Sequence, residues 1–249
     1  MNPAFAVLAL APGLAFGSFL NVLIARVPLS KSVALARTCS SCSAPIAWYD
    51  SIPLYSFLTL RGRCRSCGTR IGPRYPIVEV GCAALVGACV LVFGLTFYAA
   101  IASFFCCVLV AISAVDIGHR IVPDRIVLPS TLLVLAAQTL RDPSLEWFLA
   151  SFGAALFLFL TVLVYPAGMG MGDVKLALLM GAMLGKVVAV ALVVGLVAGV
   201  IPSIYLLVRH GGKARKMGIP FAPFLALGSV IALFAGETLY GGYVSLLGS

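Results

Sequence analysis

Charge is what this chain has least of. Lys, Arg, Asp and Glu together make up 10% of its 249 residues, well under the roughly 25% usual in soluble domains. It holds eight acidic residues and two histidines, against 62% apolar residues. So little charge cannot clothe a soluble globule of this size, and a mean hydropathy of +1.13 points to helices lying among lipid or other apolar helices. The start, Met1-Asn2-Pro3, has no basic residue, and the first positive charge is Arg26, after the first apolar stretch. A cleaved secretory leader needs a basic head, so the first span is expected to remain in the protein.

A membrane-crossing helix needs about 20 mainly apolar residues. Eight candidate spans follow: 4–25, 77–94, 97–115, 125–140, 145–164, 174–185, 187–208 and 219–247, with a blurred join at Gly185-Lys186. The expected fold is all-α and polytopic, with about eight transmembrane helices and a small zinc-stapled loop domain. The expected division is 1–25 (first helix), 26–76 (tetracysteine loop) and 77–249 (membrane core). With the N-terminus outside, 15 of the 17 Lys and Arg fall on the cytoplasmic side, and only Arg141 and Lys186 do not. That asymmetry is the positive-inside signature. The formal net charge of +9 therefore marks a cytoplasmic face that meets anionic lipid. With no separate basic domain, nucleic acid is not an expected partner.

The loop carries Cys39-Ser40-Ser41-Cys42 and Cys64-Arg65-Ser66-Cys67. Two CxxC knuckles in a segment too small to bury a core suggest four thiolates on one structural Zn²⁺. Disulfides suit an oxidising compartment, and a redox pair is the remaining alternative. Cys82, Cys89, Cys106 and Cys107 lie in apolar spans, where cysteine packs as a small hydrophobe. Trp48 and Tyr49 fit an interfacial belt, which leaves Glu79, an acid at the start of a span, unexplained.

Ionisable residues inside membrane spans are functional candidates by default. Asp116 closes the run Leu109–Val115, whereas Asp124 follows Pro123 and reads as an N-cap of the next helix. Asp173 ends Gly168-Met169-Gly170-Met171-Gly172-Asp173. Its glycines weaken helix and admit a close partner; the alternative is a turn in which Asp173 caps the following span. Lys175, two residues on, would face away from Asp173 and reach the interface. Two carboxylates sharing a site divide one proton, so one activates water while the other donates. His119 and His210 offer no comparable nucleophile–base pair.

These residues resemble the type IV prepilin peptidase family over nearly the whole chain. Gly17-Ser18-Phe19-Leu20-Asn21-Val22, the paired CxxC knuckles, Gly62-Arg63-Cys64, Arg74-Tyr75-Pro76, Asp116 with Pro123-Asp124, Gly170-Met171-Gly172-Asp173-Val174-Lys175 and Pro220–Leu225 are similar to its motifs, in its order. Ala222 stands where that family more often has Gly, and the Asp116–Asp173 spacing is somewhat short. The resemblance implies an inner-membrane aspartyl endopeptidase using Asp116 and Asp173 to remove the leader of type IV prepilins or pseudopilins. It also implies N-methylation of the new terminus with S-adenosylmethionine, for which Gly62, Arg74 and Glu79 are candidates. A transporter would show inverted repeats, which are not found. A presenilin-type GxGD peptidase or a non-catalytic assembly module leaves either the tetracysteine loop or the aspartates without a role. Oligomeric state is not legible.

Overall fold

The computed structural model describes residues 3–27, 38–39, 41–51, 53–164, 169–210 and 219–247. Loop residues 28–37, Ser40 and Ile52, the glycine Gly168, and residues 211–218 with their three basic side chains, all part of the expectations above, lie outside this set. The described residues form nine α-helices and no sheet. They are α1 (Pro3–Arg26), α2 (Tyr55–Thr59), α3 (Arg74–Phe93), α4 (Phe97–His119), α5 (Asp124–Arg141), α6 (Glu146–Val164), α7 (Met171–Leu184), α8 (Val188–His210) and α9 (Ala222–Leu247).

All eight expected spans are helices, the short α2 being extra. Six apolar segments are long enough to cross a membrane, and one of them runs unbroken in hydropathy from Met171 to Leu206. The chain divides that segment at Gly185, whose φ of +55° stops α7 and opens a 3-10 turn over Gly185–Val187. Only glycine takes that backbone without cost. Glu146 at the start of α6 completes the turn by accepting the Lys186 N–H at 3.0 Å. The helix α5 carries Asp124, Arg125 and Arg141 and does not meet the apolar criterion. Asp116 does not end its helix as expected: α4 runs one turn further, and Arg120, at φ +55°, closes it by donating its N–H to the Asp116 carbonyl at 2.8 Å.

The chain forms two compact units, Met1–Ala114 and Val115–Ser249. In the first, α1 and α3 meet through small residues. A Cβ at Gly13 would stand 2.7 Å from Ala83 Cα, and one at Gly17 2.8 Å from Glu79 Cα. Helices in lipid gain little from burying apolar surface against each other, so close backbone approach at small residues carries the packing. Gly17→Val should therefore separate α1 from α3 and destabilise the unit by about 1–3 kcal/mol. Thermal melting in detergent checks this; an unchanged midpoint would contradict the packing account.

In the second unit, α7 is fixed by polar bonds that apolar neighbours enforce. Gln138 of α5, wholly buried, donates to the Met183 carbonyl at 3.0 Å. Ser151 of α6 donates to the Leu178 carbonyl at 2.7 Å, and a Cβ at Gly181 would collide with Ala150 and Ser151. Cys82, Cys89, Cys106 and Cys107 are all buried, as packing residues should be.

Candidate active site

The first turn of α7 sets the site. Its N-cap is Gly170 rather than an aspartate. Asp173, third in the helix, reaches back and accepts the Gly170 N–H through Oδ2 at 3.2 Å. The carboxylate thereby satisfies one of the donors a helix start leaves free and sits at the positive end of the helix dipole. Gly172 explains the residue before it, because a Cβ there would stand 2.9 Å from Val122 Cβ. The segment leading into α5 packs directly on the backbone beside Asp173.

Asp116, in the last turn of α4, does the same for another helix. Its Oδ2 accepts the N–H of Ala222, the first residue of α9, at 3.0 Å. That contact gives the stretch Pro220–Leu225 a part in the site. Asp116 is 6% and Asp173 7% exposed, and the two are close enough to act on each other electrostatically. Two buried carboxylates from separate helices, each bound to a backbone N–H at a helix start, thus lie in the second unit.

Asp124 differs. It is the first residue of α5, its predecessor Pro123 is the N-cap, and no side-chain cap bond forms. Its carboxylate takes both of its oxygens to Lys175 Nζ, at 2.7 and 2.8 Å. The N-cap expected for Asp124 is therefore replaced by an ion pair, and Lys175 leans on Asp124 rather than reaching alone to the interface. A cation two residues from Asp173 would be expected to point away from it in a helix, and the pair gives that direction a partner. His119 is exposed at the end of α4.

The cysteine segment, in the first unit, is built as a repeat that the spacing alone did not announce. The Cys39 N–H donates to Ala44 O and Ser43 N–H returns to Cys39 O; Cys64 N–H donates to Thr69 O and Gly68 N–H returns to Cys64 O, all between 2.9 and 3.0 Å. Isolated bridges join Thr38 to Pro45 and Arg63 to Arg70. Ser43 and Gly68, both four residues after their cysteine, have φ of +57° and +70°. The faint sequence signal was the offset of 25 residues between Cys39 and Cys64.

The two knuckles bring the sulfurs of Cys39, Cys42, Cys64 and Cys67 within 4.8 Å of one another, with Cys39 and Cys67 at 3.9 Å. Zn–S bonds of about 2.3 Å in a tetrahedron put sulfurs about 3.8 Å apart, so the donor set fits a metal. Hydrogen bonds from the Thr69 hydroxyl and backbone bring the Cys67 thiol down to about 6, and N–H groups of Cys42 and Ser41 lower Cys39. Cys42 stands near 11, because the Ala44 N–H that lowers it is outweighed by its neighbours Cys67 and Cys39 and by desolvation. Asp50 holds Arg65 through two bonds, at 2.6 and 2.8 Å, and that guanidinium keeps the Asp50 carboxyl below the usual carboxylate range. Arg65 also covers the exposed ring of Tyr49.

Of the three residues considered for the methyl donor, Gly62 occupies a left-handed turn at φ +64° against the Phe57 ring. Arg74 opens α3 and lies over the Tyr75 ring. An open cleft beside Gly62 is lined by Arg61, Arg63, Arg65 and Gly68. Glu79 is 7% exposed and accepts the Leu54 N–H at 2.9 Å. Leu54 is itself left-handed, at φ +56°, so the acid that sequence left without a role anchors a strained turn. Asn21, given no role of its own by the sequence, is 2% exposed in α1 and donates to the Tyr75 carbonyl at 3.0 Å; its signals were an asparagine inside an apolar span and its place in the motif Gly17–Val22.

Residues 12–93 match the family described as Bacterial Peptidase A24 N-terminal domain, and residues 103–207 match the Type IV leader peptidase family. A prepilin leader peptidase/N-methyltransferase of Bacillus subtilis is 34% identical, over 94% of this chain and 96% of its own. One of the same name from Pseudomonas putida is 33% identical over 100% and 97%. A third, from Myxococcus xanthus, is 39% identical over 74% of this chain and 57% of its own. No solved structure matches. With its six apolar segments and two of these relatives aligned over 96% and 97% of their length, the chain is a multi-pass bacterial inner-membrane protein and belongs to the type IV leader peptidase family.

Proposed function

We propose that this chain removes the leader peptide of type IV prepilins or pseudopilins with Asp116 and Asp173, and then methylates the new N-terminal amine. The observation that carries the first half is the pair of buried carboxylates, each bound to a backbone N–H at the start of a different helix. The ionised member takes a proton from water as that water attacks the scissile carbonyl. The protonated member donates to the carbonyl oxygen, and a proton is then returned to the leaving amine. The backbone N–H bonds keep both carboxylates aimed and prevent either from swinging away to a basic side chain.

Depth agrees with such a role. The 14 residues of α7 span about 21 Å at 1.5 Å per residue, short of a hydrocarbon layer about 30 Å thick. If Gly185 lies at the outer face, as the charge asymmetry favours, Asp173 lies below the cytoplasmic surface, where irregular backbone must line a cavity. The N-terminus is then outside and the cysteine loop is cytoplasmic. That loop holds one structural Zn²⁺ on Cys39, Cys42, Cys64 and Cys67, in the reducing compartment that keeps the thiols free.

The second half rests on the name its full-length relatives carry. S-adenosylmethionine supplies an electrophilic methyl group; the residues proposed for the methyl transfer in the first unit are Gly62, Arg74 and Glu79. Purified enzyme, prepilin and donor should yield a matured protein about 14 Da heavier than simple cleavage gives, the mass one methyl adds at the terminus. Cleaved product that is never methylated, with donor present, would make this chain a peptidase alone.

A further inference from the structure

Glu79 is buried among neutral groups. Its carboxylate accepts the Leu54 N–H, with the side chains of Ser18 and Asn21 beside it, and among the described residues no Lys or Arg forms an ion pair with it. Burying an ionised carboxylate without a cation is costly, and these neutral neighbours supply none. Beside it, Asn21 Oδ1 is buried with no hydrogen-bond partner. The orientation of that amide is fixed, because Nδ2 donates to the Tyr75 carbonyl, which can only accept. A carboxyl group and an unpartnered amide oxygen thus belong to neighbouring buried side chains of α3 and α1. That combination asks for a cationic donor carrying more than one hydrogen, which is what an ammonium group is.

The position says which ammonium. Asn21 lies five residues before the end of α1 at Arg26, and Glu79 five residues after the start of α3 at Arg74. Both are thus about 7.5 Å, at 1.5 Å per residue, inside the ends of the two helices that the cysteine segment connects. The adjoining side chains Phe19, Ile77 and Val80 are exposed and apolar. A primary amine that heads an apolar helix can place its nitrogen at this level while its side chains lie on that surface. The unit concerned is the one matched by the N-terminal domain family, separate from the match to the peptidase family.

We infer that Asn21 and Glu79 form the acceptor site of the methylation, binding the new N-terminal ammonium of the cleaved substrate and removing its proton. The inference rests on the dual-activity reading. Glu79 takes one proton from the ammonium, leaving a neutral amine with a free lone pair. The N–C bond forms as the S–C bond of a sulfonium donor breaks; the sulfide leaves neutral and the methylated nitrogen carries the positive charge. Leu54 holds Glu79 Oε2 in place, and Asn21 Oδ1 accepts a second N–H of the substrate. The rival role for Glu79, anchoring the left-handed turn at Leu54, needs only a hydrogen-bond acceptor and no charge.

Binding of two synthetic peptides to the full-length enzyme in nanodiscs separates these roles. Both begin with the mature apolar terminus; one has a free α-amine and the other is N-acetylated. Wild type should bind the free amine at least tenfold more tightly, a preference of about 1.4 kcal/mol. Glu79→Gln keeps an acceptor for Leu54 and should lose that preference along with methylation, its zinc content serving as the check on folding. Equal binding of the two peptides by wild type overturns the inference, with no variant required. So does a Glu79→Gln enzyme that keeps the preference and methylates at the wild-type rate. If wild type never methylates, the dual-activity reading fails instead. Competition by S-adenosylhomocysteine distinguishes the remaining source of an amine: if it displaces the free-amine peptide at Glu79 in wild type but not in Glu79→Gln, the carboxylate holds the donor's amino group and the inference is overturned.

Discussion

The Cys39→Ser/Cys64→Ser double variant is expected to purify with no zinc, against about one per chain for the wild type. Each substitution removes one ligand from a different knuckle, so no CxxC pair is left whole. The segment has little else to hold it. Among its described residues, Tyr49, Tyr55 and Leu58 are exposed, α2 has no buried residue, and the knuckles close through isolated bridges rather than a ladder. A structural zinc contributes about 10–16 kcal/mol of binding free energy in peptides of this kind. Losing it should make the loop a substrate for limited proteolysis while the helices remain intact. A strong chelator should produce the same digestion pattern in the wild-type protein. Because a metal takes thiolates, acidification should also release zinc. Full zinc retention in the double variant would contradict the assignment of the four cysteines.

Residue spacing announced this cluster because CxxC fixes two sulfurs on one tight turn whatever surrounds it. The helices were legible for a related reason: an apolar run in lipid has few structures open to it besides helix. What the sequence could not convey was backbone geometry at particular residues. The join near Gly185 was visible only as a blurred boundary, since hydropathy runs through it, and the left-handed φ that makes the break is a property of the fold. Asp124 looked like a cap because it follows a proline at a helix start. Its carboxylate turns instead to Lys175, 51 residues away, a pairing no local pattern contains. Asp116 and Asp173 were found as acids in apolar surroundings. Their anchors, the N–H groups of Ala222 and Gly170, were not, because backbone donors carry no signature. Glu79 and Asn21 belong to the same class: one had no role and the other went unweighed, since each becomes informative only when its partners are known.

Replacing either dyad member removes the titrating carboxyl while keeping its size and most of its hydrogen bonding. In the proposed mechanism the two groups act as a unit, so Asp116→Asn and Asp173→Asn should each lower leader cleavage by at least about a thousandfold, with little further loss in the double variant. Asp124→Asn is the contrast. Its carboxylate is half exposed and paired with Lys175, and an exposed pair contributes at most about 1 kcal/mol, so cleavage should stay within a few fold of wild type. The direct measurement is the initial rate of prepilin leader cleavage by the three single variants, at matched membrane levels and matched zinc content. The account predicts two inactive enzymes, Asp116→Asn and Asp173→Asn, and one active enzyme, Asp124→Asn. An active Asp116→Asn beside a dead Asp124→Asn would contradict the choice of the first aspartate, and normal cleavage by both Asp116→Asn and Asp173→Asn would contradict the aspartyl mechanism itself.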